Sequence, residues 1–320
     1  MDTSKLRVSP APHLKSGHRV RPAMLDVALA LLPVSAVSVY VYGMAAVQIL
    51  VITVAATLLA QLAANAVWGR QGGLGDGSAL VTGLLLALCF QAYTAWPALV
   101  IGAVLAIFVA KELMGGLGWN RFNPALFGRA GVYILAPLVT ALTRTFGASA
   151  PAVDVVTGAT PMVALARGLP MPSKISMLLA HPGGALAEVS ALAVIAGGAY
   201  LLLRGHLKWR ISVGMIAVVA LAAAVGGRDP VYHILGGGLL LGALFMATDW
   251  VSSPVTPNGQ ILFGLGAGLL TALIRLAMPP AEGVAFAILI MNAFAPALDR
   301  ATAPLRFGDQ RAAAPAGRAA

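Results

Sequence analysis

The residues best equipped for chemistry stand together in Asp154-Val155-Val156-Thr157-Gly158-Ala159-Thr160-Pro161. Thr160 precedes a proline, and Met162 to Arg167 can continue as a helical turn. The Thr160 hydroxyl therefore suits a helix cap, with Pro161 at the first helical position. Free amides and the positive end of such a helix favour an anion, phosphate above all. Small neighbours leave the hydroxyl accessible to a modifying enzyme. A structural cap is the plainer reading of Thr160, and an attachment point for a phosphorylated group is the chemical one.

A second set of residues recurs. Asn120-Arg121-Phe122-Asn123-Pro124-Ala125-Leu126 returns as Asn292-Ala293-Phe294-Ala295-Pro296-Ala297-Leu298, five of seven positions identical at an offset of 172. Each copy alone reads as a helix start, with Asn as cap or polar turn and Pro in the first turn. The recurrence predicts two broken helices meeting near the bilayer midplane, with Asn120, Asn123 and Asn292 at the meeting point.

Among ionisable residues Asp249 stands out, beside Trp250 and ahead of the turn Ser252 to Gly259, as a candidate for a functional role, an ion site among them. Asp26, Lys111, Glu112, Arg275 and Asp299 fall near the ends of apolar runs, where reaching water is cheap. Lys111 and Glu112 are adjacent, so helical geometry sends them to different sides and argues against pairing. His181 and His233 read as interfacial histidines rather than haem ligands. Gly115-Gly116-Leu117-Gly118 has no strand before it and reads as close packing or a re-entrant break, not a dinucleotide loop. The single Cys89 excludes an intrachain disulfide, a self-sufficient iron–sulfur cluster and a cysteine-based zinc site, and no metal site is expected.

The elements that position these residues must lie in a bilayer. Of 320 residues 59% are hydrophobic and only 10% charged, against about 25% charged in a soluble protein. The net charge of +10 does not point to nucleic acid, because the bases punctuate apolar runs. Ten runs approach the ~20 residues a spanning helix needs: 23–42, 44–66, 78–94, 96–113, 125–143, 185–203, 211–226, 232–249, 260–277 and 282–298. The third and eighth are flanked by glycines and are expected to be tilted or broken. With a cytoplasmic N-terminus, 16 Lys and Arg fall inside, Arg129 among them, and 5 outside, Arg275 and Arg228 among them. This bias favours an even number of spans with both termini inside. The expected organisation is a basic cytoplasmic N-terminus (1–22), a first membrane repeat (23–143), a periplasmic loop (144–184), a second membrane repeat (185–300) and a disordered cytoplasmic tail (301–320). Five spans per half place the second copy upside down, giving an all-α polytopic membrane protein of inverted repeats with broken or re-entrant helices.

An acidic residue, two positions, then Thr157-Gly158-Ala159-Thr160 resembles the flavinylation motif of Rnf and Na+-pumping NADH:quinone reductase complexes. The whole chain, from about residue 18 to 300, is similar to the family of the Rnf complex D subunit and the reductase's B subunit. Lys111-Glu112-Leu113, Gly116-x-Gly118, Asn120 to Ala125, and Met246-Ala247-Thr248-Asp249 through Ser252 to Gly259 carry that similarity. The sequence departs from the motif at Val155, where a small residue is usual, and lacks the B subunit's longer N-terminal extension. The resemblance implies FMN joined to Thr160 through a phosphoester by a flavin transferase, with Asp154, Thr157, Gly158 and Ala159 as the recognition and approach segment. It also leaves room for an ion or a second flavin, such as riboflavin, at the repeat interface, with Asp249, Asn120, Asn123 and Asn292 as its candidate residues. As partners it implies iron–sulfur and FMN subunits of a complex in the bacterial inner membrane. Such a subunit relays electrons in a ferredoxin:NAD oxidoreductase coupled to Na+ or H+ movement, and is not a complete enzyme alone. The rival expectations are a stand-alone channel or secondary transporter for a small solute, and a scaffold in which Thr160 only caps a helix.

Overall fold

The computed structural model describes residues 20–69, 74–147, 161–166, 170–277 and 283–304. It is all-α; among the described residues the only β-type pairing is a single bridge between Gln91 and Ala185. Four helices are long and apolar enough to cross a membrane: α1 (Val20–Tyr42), α2 (Met44–Trp68), α13 (Pro257–Ala277, of which Pro257–Leu276 meets the criterion) and α14 (Gly283–Ala301). The chain is a multi-pass membrane protein, but uniform spans do not account for all ten apolar runs.

The remaining runs are interrupted where the sequence interrupts backbone pairing. The third run gives α3 (Ser78–Leu88), followed by an irregular turn before α4 (Trp96–Val104). Helix α4 passes directly into a π-helical segment, Leu105–Glu112. The fifth run splits into α5 (Pro124–Ile134) and α6 (Ala136–Thr145), which meet at 75°. Pro137 lies in the first turn of α6; it has no N–H to donate and its ring clashes with the preceding turn, so one straight helix cannot form. The eighth run breaks into α11 (Pro230–Leu235), a glycine turn, α12 (Leu239–Leu241) and a second π-helical segment, Gly242–Met246. Gly237 and Gly238 have φ of 64° and 65° there, a left-handed conformation that other residues resist. The breaks expected in the third and eighth runs are both present, and Gly115-Gly116-Leu117-Gly118 is a break as well, with positive φ at its three glycines.

Short α7 (Pro161–Ala166) and α8 (Lys174–Leu179) precede α9 (Ala191–Leu203) and α10 (Trp209–Val225). Corresponding elements of the two halves meet, α1 against α9 and α5 against α14. The α1–α9 crossing is close because Gly197 lets the backbones touch: a Cβ there would collide with Ala30 O.

Candidate functional site

Thr160, Asp154, Thr157, Gly158 and Ala159 lie outside the described residues. The residues immediately after Thr160 are defined. Pro161 opens α7, and Met162 is 1% exposed. Its side chain packs on the glycine turn after α11: a Cβ on Gly237 would lie 3.0 Å from Met162 Cγ, and one on Gly236 3.3 Å. Glycine at both positions thus seats the residue pair following Thr160.

The other side of that turn is polar. Gly237 N donates to Glu188 Oε2 at 3.1 Å, and Arg275 donates to His233 O at 2.7 Å, Gly236 O at 3.1 Å and Gly237 O at 3.3 Å. These carbonyls end α11 without helical partners, so a cation there replaces the bonds the break removes. Arg275 does not reach water from a span end as its position in the sequence predicts; it is 5% exposed and fastened to backbone. Beside the turn, Cys89, Arg129, Glu188, Gly237, Gly238 and Met246 line a crevice of about 550 Å³, open space included.

The Asn and Asp candidates converge elsewhere. Asn123 caps α5, its Oδ1 accepting from Leu126 N at 3.2 Å, and its Nδ2 donates across the halves to Met246 O at 3.2 Å. With the Asn292 amide oriented as its neighbours require, its oxygen accepts from Asn123 N at 2.9 Å and its nitrogen donates to Ile288 O at 2.9 Å. Ser252 Oγ lies 3.3 Å from that oxygen and donates to Asp249 Oδ2 at 2.7 Å. Ser253 Oγ donates to Asp249 O and accepts from Lys208 Nζ, the latter at 2.8 Å. Asn123 N thus bonds Asn292 directly, and Asn123 Nδ2 shares the Met246 carbonyl with Asp249 N, which also donates to it, so the three residues belong to one hydrogen-bonded chain. Asn120 lies nearby in sequence, donates to Phe122 O at 3.3 Å and keeps a buried Oδ1 without a partner. The helix-start expectation holds for Asn123 but fails for Asn292, which sits inside α14 and is 1% exposed.

A second cavity, about 500 Å³ with its open space, lies beside this chain, bounded by Met24, Leu85, Phe245, Asn123, Asp249 and Trp250. At its edge Asp26 accepts from Tyr200 Oη at 2.8 Å and Arg204 Nη2 at 2.9 Å, with His206 Nε2 at 2.8 Å. Asp26 is thus a cross-link between α1 and α9, not a carboxylate seeking water. Asp299 accepts from Val255 N at 2.9 Å and Thr256 N at 3.0 Å and holds the turn ahead of α13.

Lys111 and Glu112 also depart from expectation. Both are buried, with Lys111 Nζ 4.0 Å from Glu112 Oε1. Gln61 bridges them, accepting from Lys111 Nζ at 2.7 Å and donating to Glu112 Oε1 at 2.8 Å. Lys111 Nζ also donates to Ser78 Oγ at 2.6 Å. Both residues stand in the π-helical turn, and their side chains are brought together by Gln61 from α2 rather than by facing the same side of their own helix. No sequence feature marks that turn.

The fold and site together define an all-α multi-pass membrane protein whose interrupted helices meet in its interior around a buried polar chain. Its kinship is more definite: the profile of the NQR2, RnfD, RnfE family matches residues 7–308, and the chain belongs to that family. It is 39% identical over 312 residues to the D subunit of the Na+-translocating ferredoxin:NAD+ oxidoreductase complex of Acetobacterium woodii, covering 96% of this chain and 97% of that one. It is 38% identical to the D subunit of the proton-translocating ferredoxin:NAD+ oxidoreductase complex of Clostridium ljungdahlii, covering 95% and 96%. Against the D subunit of the ion-translocating oxidoreductase complex of Stutzerimonas stutzeri identity is 36%, covering 89% and 91%.

Proposed function

We propose that this chain is the membrane flavoprotein subunit of an ion-translocating ferredoxin:NAD+ oxidoreductase, carrying FMN on Thr160 through a phosphoester. The observation that carries this reading is the seating of Met162 against Gly236 and Gly237, which ties the residue after the Thr160–Pro161 bond to a wall of the crevice beside that turn. The residues there suit a tethered ring. Gly237 and Gly238 present bare backbone, Leu126 and Leu241 are apolar, and Arg129 and Glu188 supply charges of either sign. FMN, when bound, supplies the redox step. The chain's own contribution is to fix the attachment residue, exclude water with apolar walls, and set the local charge with Arg129.

The second cavity, with Asn123 and Asp249 on one side and Met24, Leu85 and Phe245 on the other, suits a neutral flavin such as riboflavin by the same logic. Iron–sulfur and FMN subunits of the complex deliver and remove electrons, and a flavin transferase loads Thr160. The cation moved is Na+ or H+, since relatives of each description are similarly close. The setting is the bacterial inner membrane, with both termini cytoplasmic and the flavin loop periplasmic. A stand-alone channel or transporter is the weaker reading, because these relatives are named as subunits of complexes.

The test is direct. Denatured, purified protein should carry yellow-green fluorescence with the polypeptide, and the peptide containing Thr160 should gain the mass of an FMN phosphoester. Thr160→Val should lose both. Flavin retained covalently in that variant, or absent from protein produced alongside its transferase, would sink the assignment.

A further inference from the structure

A third cavity, between α10, α11 and α13, has no part in the flavin reading. Val219 and Ala223 of α10 and Leu276 of α13 wall it, His233 and Arg275 form its buried floor, and Arg228 lines its exposed side. Its space, together with the open solvent at its mouth, comes to about 490 Å³. Its floor is chemically unfinished. Both floor residues are 5% exposed, yet Arg275 Nε and His233 Nε2 have no hydrogen-bond partner. Arg275 spends its terminal nitrogens on the three carbonyls of the α11 break, which leaves the Nε–H free for something in the cavity. A buried, charged donor without an acceptor is among the costliest omissions in a protein interior.

The charge balance says what would complete it. Around the cavity Arg275, Arg228 and Lys174 are opposed by Glu188, which faces Arg275, and by Asp229, which is ion-paired with Lys174. Three positive charges against two leave one surplus, next to two unmet nitrogens. An anion with several acceptor oxygens fits, and phosphate is the commonest of that kind. The apolar walls narrow the source. Leu221, Val225 and Leu276 are all strongly exposed on the same helices, forming a surface suited to acyl chains.

We propose that this cavity binds the phosphate of an anionic phospholipid. Its oxygens accept from Arg275 Nε, from His233 in its Nε2-protonated form and from Arg228, while an acyl chain lies along α10 and α13. Basic pockets between membrane helices take anionic headgroups on these principles.

Native mass spectrometry of the full chain, delipidated in mild detergent and then offered phosphatidylglycerol or phosphatidylcholine, tests this. Phosphatidylglycerol should be retained preferentially. Arg228→Gln and His233→Phe should each weaken retention by roughly tenfold, the loss of one charge-assisted or buried hydrogen bond. Arg275 also holds the α11 break, so its variants would confound folding with binding and are not used. Displacement of the lipid by inorganic phosphate at equal concentration would overturn the lipid assignment in favour of free phosphate. Equal retention of the two lipids, or unchanged phosphatidylglycerol retention in both folded variants, would overturn the proposal.

Discussion

Lys111 and Glu112 show most clearly what a residue-level reading of sequence can miss. Helical periodicity separates adjacent residues by about 100°, and a lysine near the end of an apolar run is expected to stretch toward water. The protein instead buries both around Gln61, with Ser78 completing the lysine's coordination. Breaking a buried pair by removing one partner strands the other charge, which costs about 3–5 kcal/mol, whereas replacing both with apolar residues is often neutral. Lys111→Met should therefore lower the thermal midpoint in detergent sharply, and Lys111→Met with Glu112→Leu should recover much of the loss. A double variant as unstable as the sum of its singles would show that the pair is not coupled. Local capping chemistry, by contrast, is legible: Asn123 caps α5 as its position before Pro124 requires. Asn292 is not, for a reason present in the sequence. The second copy has Ala295 where the first has Asn123, so nothing caps a new helix there, and α14 runs through with Pro296 inside it. The chemical segment itself is legible only by motif, and Thr160 lies outside the described residues.

At the scale of elements, apolar length locates the helices and glycine and proline locate the interruptions, while the angles between pieces come from packing. Two runs, each apolar enough to span, become an unbroken α2 in one place and a 75° bend in another. The difference lies in Pro137 and in the space left for the bend, and only the former is local. Close crossings follow the same division. Gly197 reads in sequence as one more helical glycine, yet it is where α9 touches Ala30 of α1, on the same pair of helices that Asp26, Tyr200 and Arg204 cross-link. Gly197→Val should force the helices apart, costing about 1–3 kcal/mol of overpacking. Gly205→Ala, which meets no atom within 4 Å but needs a φ of 75°, should cost only its backbone strain. Thermal midpoints of the two variants, compared with Tyr200→Phe, would separate packing from the hydrogen bond. Equal midpoints for Gly197→Val and the native chain would refute the close-contact account.

For the whole molecule, the interdigitation of the two halves revises where depth lies along the chain. Asn292 is nine residues from either end of α14 (Gly283–Ala301), about 14 Å at 1.5 Å per residue. Asn123 N meets its side chain at 2.9 Å, so α5 starts level with the middle of α14 and not at a membrane surface. Arg129, six residues further on, shares a crevice with Glu188 and Gly237 and no longer belongs in a count of surface bases. Buried Lys111 and Arg275 leave the count with it, so fourteen Lys and Arg stand against four and the orientation argument survives with less weight on its internal loops. Orientation decides whether the Thr160 segment faces the periplasm, and Cys89, the only cysteine, makes it measurable. In a Cys89→Ser background, Ser149→Cys should react with a membrane-impermeant maleimide in intact spheroplasts. Ser9→Cys should react only after the membrane is opened. The reverse pattern would turn the molecule over, placing Thr160 in the cytoplasm and removing the periplasmic flavin loop from the proposal, while the paired halves and their polar chain would stand unchanged.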